Sequence, residues 1–220
     1  MRAWVCNATY FVARLPDTPN PDFRFQGRSS RRATLAGLHP IDDRKNMPRL
    51  PYVSPDLSEP ADVVGAMRLR RGGSLNEADR LVLHSPAFAR GFNVLMGAVR
   101  QSLGVPAYLR ELAICGVGYL NRSEFEVVNH IPILRSSGAT EAQIAALSDF
   151  VEAAENRTLF DDVERLVMRL TIEMTRDVEV SDATFSELVA VFPNSQEVVE
   201  LVGTIAAYNM ASRFLVALKL

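Results

Sequence analysis

From Leu75 onward the apolar residues recur at the 3.6-residue spacing of helices, with turn signals between segments and no convincing alternating strand pattern. That periodicity restricts this part to helix packed on helix and predicts an all-α domain. A first helix is expected at about 75–83. AFARGFNVLMGAVRQSL follows Ser85-Pro86, with proline in its first turn, and Gly104 ends it. Pro106 opens AYLRELAICGVGYL, in which Leu109, Leu112, Ala113, Cys115 and Gly116 form a stripe of apolar and small residues suited to close packing. Asn121-Arg122 breaks the chain, and a further helix runs to about Arg135, where Pro132 predicts a kink or an early stop. Ser136-Ser137-Gly138 closes it. Thr140 caps EAQIAALSDF, Asp161-Asp162 places acids at the positive end of DDVERLVMRLTIEMTRD, and Ser181 or Asp182 caps ATFSELVAVF. The last segment, QEVVELVGTIAAYNMASRFLVALKL, is apolar enough to be buried on most sides or shared with a partner subunit.

Residues 1–74 read differently, with prolines at 16, 19, 21, 40, 48, 51, 55 and 60 and arginine pairs at Arg31-Arg32 and Arg70-Arg71. A mostly irregular arm is expected there. Met47 opens the more protein-like MPRLPYVSPDL, so residues 1–46 are a candidate for a segment outside the natural product, which intact-mass measurement on protein from its native host decides. The aromatic-interleaved basic stretch FRFQGRSSRRAT has the residues to touch phosphates but reads more simply as a solvated arm. A net charge of −2, from 24 basic and 26 acidic residues, supplies no bulk footprint for nucleic acid or an anionic membrane. No apolar run is read as reaching the roughly 18 residues of a membrane span, and the N-terminus lacks the parts of a secretory signal. Cys6 and Cys115 form neither a CxxC pair nor a zinc spacing. The expectation is a reduced, cytoplasmic chain without membrane or nucleic-acid partner.

Asn121 to His130 reads NRSEFEVVNH. On a helix Ser123, Glu126 and His130 fall on one stripe, with Glu126 and His130 neighbours at i,i+4. A carboxylate beside an imidazole fixes its tautomer and favours its charged form, which suits general acid and base work. A structural alternative is stronger on spacing alone: Ser123 and Glu126 match the S/T-x-x-E capping box, and His130 then makes one hydrogen bond at the core edge. A metal site lacks a completing ligand. Tyr208 and Asn209, polar residues in the apolar last segment, each need a partner, either in a pocket or across helices. His84 ends a helix before Pro86, where it can meet the terminal carbonyls.

The longer run RELAICGVGYLNRSEFEVVNH resembles the signature segment of the carboxymuconolactone decarboxylase and alkylhydroperoxidase-like superfamily. Arg110-Glu111 stands where that signature has its arginine and glutamate, and His130 where it ends in histidine. LHSPAFARGFNVLMGAVRQSLGVPAYLRELAI and VELVGTIAAYNMASRFLVAL carry the resemblance over about 75–220, a helical domain in that reading. Hydroperoxide-reducing members keep C-x-x-C before the histidine; here those places hold Ser123 and Glu126. Serine forms neither sulfenate nor disulfide, so the thiol-free branch is implied.

The resemblance implies a cofactor-free, metal-free decarboxylase acting on a small carboxylated lactone or keto acid in aromatic-compound breakdown. In that role His130 donates the proton, Glu111 orients or recharges it, and Glu126 is a second carboxylate. Ser123, His84, Tyr208 and Asn209 are the implied substrate contacts. A homo-oligomer, trimer or hexamer, is also implied. An anionic substrate beside two carboxylates needs cations, for which Arg110 and Arg122 are the neighbours in sequence. A thiol peroxidase using Cys115 and a non-catalytic ligand-binding oligomer are the competing functions.

Overall fold

The computed structural model describes residues 47–220 and, among them, helices without strands. In chain order these are α1 (Ala61–Arg71), α2 (Glu77–Val82), α3 (Pro86–Gln101), α4 (Ala107–Leu120), α5 (Glu124–Ser136), α6 (Glu141–Ala146), α7 (Phe150–Glu155), α8 (Asp162–Ile172), α9 (Asp182–Val191) and α10 (Ser195–Leu218). The all-α expectation holds. Most of the starts are set by side chains that accept a backbone N–H of the first turn: Asn76, Ser85, Thr140, Asp161, Ser181 and Asn194 all cap this way.

α4 is the centre of the bundle, packed against α5, α8 and α10. Its Leu112, Ala113, Ile114, Cys115 and Val117 are essentially inaccessible to solvent. On one side they join a large apolar core with Val63 and Met67 of α1, Met96 of α3, Leu170 of α8, Leu188 of α9 and Leu201 of α10. On the other side Leu112 and Cys115 meet Leu134, Leu147, Phe150, Phe160 and Met168. Here the small-residue stripe has its use: a Cβ placed on Gly116 would lie 2.2 Å from the Phe150 ring. Only a glycine lets α4 and α7 come this close.

Three expectations are corrected and one holds. The chain before residue 75 is not an irregular arm throughout, since 61–71 form α1 with Val63, Val64 and Met67 buried in the core; proline density hid a helix whose N-cap is Pro60 itself. The part of the arm reading that concerns residues 1–46, with Cys6 and FRFQGRSSRRAT, lies outside the described residues. EAQIAALSDF is two helices rather than one, because Leu147–Asp149 form a 3-10 turn and the Asp149 side chain caps α7 by accepting Glu152 N–H. The expected extent of α5 to about Arg135 holds, since it passes through Pro132 to Ser136 without an early stop; the carbonyl freed by the missing N–H belongs to Val128, a largely exposed residue. Finally, α10 is long and apolar enough to cross a membrane by length and composition, contrary to the reading that no run was; half of its apolar window is buried against the bundle, where it contacts α3, α4 and α9.

Candidate active site

α4 and α5 form an antiparallel hairpin across the turn Asn121-Arg122. Arg122 takes the left-handed conformation (φ 57°), and Ser123 N–H reaches back to the Gly118 carbonyl at 2.8 Å. The turn is tied to α10, since Asn121 Nδ2 donates to Asn209 Oδ1 at 3.0 Å and Ser212 Oγ at 2.7 Å. Glu111 and His130 sit at nearly equal distances from this turn, one on each helix, and therefore meet. His130 Nδ1 is 2.6 Å from Glu111 Oε2, with both side chains buried.

A proton on Nδ1 satisfies that contact, which leaves Nε2 as the acceptor of the neutral ring. Tyr208 OH is 3.1 Å from Nε2, Arg100 Nη2 is 3.2 Å away, and Glu126 Oε2 is 3.4 Å away. The neutral imidazole thus accepts from Tyr208 or Arg100. The imidazolium instead directs Nε2–H toward Glu126, with a carboxylate on each nitrogen. The Tyr208 ring meets the imidazole edge-on, centroids 5.0 Å apart at 88°, which fixes the ring plane. Burial above all pushes the Tyr208 hydroxyl upward from its ordinary value, so it remains a donor.

Burial also raises the Glu126 carboxyl, and it outweighs the opposing pull of His130, Arg100 and Arg71. The capping box does not form: Ser123 makes no side-chain cap, and its buried Oγ has no hydrogen-bond partner. The structural explanation of Glu126 falls with it.

The cluster faces a narrow space of about 20 Å³, lined in part by Arg71, Phe92, Met96, Arg100, Glu126, His130 and Tyr208. That volume holds about one water. Asn76, Phe125 and Asn129 separate it from an open groove of about 490 Å³ on the surface, which they also line.

The seven expected site residues divide. Glu111, Glu126, His130 and Tyr208 converge. Ser123 is buried at the start of α5 and is not part of the cavity wall. Asn209 serves the cross-helix alternative, donating to Thr175 Oγ1 at 2.9 Å and accepting from Asn121. His84 turns outward, Nε2 lying 2.6 Å from the Pro51 carbonyl; α2 ends beside it, and the ring fastens the preceding segment. Of the expected cations, Arg110 Nε stands 3.9 Å from Glu111 Oε1, whereas Arg122 is exposed. Arg100 and Arg71 were not foreseen. Arg100 had a readable signal, lying four residues after Met96 and eight after Phe92 on the buried stripe of α3. Arg71 had none, because only tertiary packing brings α1 to the site.

These features define an all-helical bundle with a buried carboxylate–imidazole–carboxylate cluster built on a helical hairpin. Residues 86–158 match the model of the carboxymuconolactone decarboxylase family, so the resemblance read from the sequence holds over that part of the chain. The match covers α3 to α7 and contains Arg100, Glu111, Glu126 and His130; Arg71 and Tyr208 lie outside it. The crystal structure of an uncharacterized peroxidase-related protein from Silicibacter sp. TM1040 is similar with a TM-score of 0.60 at 15% identity, over 78% of this chain and 89% of that one. At that identity the likeness is one of fold. No curated protein matches the chain.

Proposed function

We propose that the chain is a cofactor-free lyase that decarboxylates a small carboxylated lactone or keto acid, a reaction type that belongs to aromatic-compound breakdown. The observation that carries this reading is His130, buried with a carboxylate near each ring nitrogen. Loss of carbon dioxide breaks a carbon–carbon bond and leaves its electron pair on the conjugated carbonyl as a dienolate. Nε2–H of His130 then protonates carbon. The ring is recharged by a proton from the raised Glu126 carboxyl or from solvent, and Glu111 holds Nδ1–H so that Nε2 faces the reacting carbon throughout. One proton is consumed per carbon dioxide released. The enclosed space is smaller than such a substrate, so the Arg100 and Phe125 side chains rotate to admit it from the open groove.

Thiol-dependent peroxidase chemistry has less support. Cys115, the free cysteine of the described residues, is fully buried, and burial together with Glu111 and Glu126 pushes its thiol upward. A thiolate does not form readily there.

The test is carbon dioxide release from 4-carboxymuconolactone and related keto acids by the wild type and His130→Ala. The variant is expected to keep its helical circular dichroism and to lose turnover by about 100-fold or more. Undiminished release by folded His130→Ala would sink the assignment.

A further inference from the structure

We propose that Arg71 and Arg100 form a two-guanidinium subsite for a substrate carboxylate, which makes small organic carboxylates the ligands admitted to His130. The proposal rests on the acid–base reading for its place in the reaction, and on charge and geometry for itself.

Charge is the first argument. Arg70 and Arg71 share one carboxylate: Asp79 is completely buried, with Arg70 Nη2 3.2 Å from Oδ1, Arg71 Nε 2.9 Å from Oδ2 and Arg71 Nη2 3.2 Å from Oδ1. Arg70 is further held by Asn93, a neutral partner, at 2.5 Å. Glu111 is engaged by His130 and lies near Arg110. That leaves Glu126 opposite Arg100, and Asp79 as the one carboxylate for the two guanidinium groups of Arg70 and Arg71. The wall of the cavity therefore holds more positive than negative charge. Partly buried cations without a counter-ion are costly, and an incoming anion removes that cost.

Donor arithmetic is the second. The neutral imidazole offers one lone pair at Nε2, yet both Tyr208 OH and Arg100 Nη2 stand at hydrogen-bond distance from it. One donor is surplus. Arg100 is the one with a better acceptor to gain, because a planar guanidinium pairs with a carboxylate through two parallel hydrogen bonds and with an imidazole through one. When Arg100 turns from Nε2 to the carboxylate, Tyr208 OH remains as the one donor to the neutral ring, so the move leaves no lone pair of Nε2 unsatisfied.

Preorganisation is the third. Arg71 is the last residue of α1, which Gly72 terminates at φ 77° with Gly73 N–H returning to the Arg68 carbonyl at 2.8 Å. Asp79 belongs to the capping box of α2. Arg71 is thus held between two helix ends and needs little ordering to meet an anion.

The probes are acetate and benzoate, with acetamide and benzamide as neutral counterparts, titrated calorimetrically into the full chain. The wild type is expected to bind at least one carboxylate about tenfold or more tightly than its amide. Arg71→Met and Arg100→Met should each weaken that carboxylate about tenfold while leaving the amide unchanged, and Arg71→Lys and Arg100→Lys should recover part of the loss. The lysine variants decide the matter should a methionine variant not fold. Carboxylate affinity unchanged by the substitutions, amides binding as well as carboxylates, or no saturable binding of either carboxylate by the wild type at tens of millimolar would each overturn the subsite. Failure of the lyase reading shows separately, as no carbon dioxide release by a wild type that still binds carboxylates through the two arginines.

Discussion

At Glu126 burial and charge act in opposite directions. Desolvation raises its carboxyl from the ordinary 4.5, while His130, Arg100 and Arg71 lower it, and desolvation is the larger effect. A carboxyl raised in the folded state binds its proton more tightly there than in the unfolded chain. Its favourable contribution is present in full below about pH 4.5 and is lost as pH rises through the folded value. Glutamine keeps the shape and removes the ionisation. Glu126→Gln is therefore expected to be more stable than the wild type by about 1 kcal/mol near pH 7.5, with the gain disappearing near pH 4. Urea denaturation at the two pH values checks this, and an equal effect at both would mean that Glu126 is not held against its ionisation. The sequence showed the i,i+4 pair and, with Glu111, three residues that the fold brings together. It could not decide whether Glu126 belongs to a helix cap or to a cluster with His130, because that depends on whether Ser123 Oγ reaches a backbone N–H, and the αL turn at Arg122 sets that.

Among the elements, α4 and its neighbours show which features of a bundle are local. Helix starts were legible because a cap is a contact between residues two or three apart, as at Asn194 and Thr140. The split of 141–155 at Leu147–Asp149 was less so, since Asp149 looks like an ordinary helix-surface acid until its side chain turns to Glu152 N–H. The small-residue stripe of α4 was read correctly as a packing face, but its partner was not readable. That partner is Phe150 of α7, whose ring is 3% exposed and has nowhere to retreat. Gly116→Ala is expected to destabilise by about 1–3 kcal/mol through overpacking, although alanine is the better helix former. Thermal unfolding measures it. A stabilising Gly116→Ala would show that α7 shifts freely and that the two helices are not locked.

Over the whole molecule, the cavity draws on chain as distant as Arg71 and Leu215, and the reading from sequence was weakest where it needed that long reach. It found the α4–α5 hairpin and Tyr208, and it looked for the compensating cations beside Glu111 and Ser123 in sequence rather than on α1 and α3. The error over α1 has the same origin: an arm and a docked helix differ in what they touch, and proline count does not report that. Whether α1 belongs to the cooperative unit is decided by Met67, which is fully buried and stands one turn before Arg71 on the same face. If α1 were a loosely attached arm, truncating Met67 would change global stability by less than about 0.5 kcal/mol. Because its side chain fills the main core with Val63 and Val64, Met67→Ala is expected to cost about 2–5 kcal/mol. Urea denaturation followed by far-ultraviolet circular dichroism gives the number. A loss of this size in a single transition makes α1 part of the one folding unit that holds Arg71 at the cavity, whereas a separate early transition of α1 would detach that helix, and Arg71 with it, from the rest of the bundle.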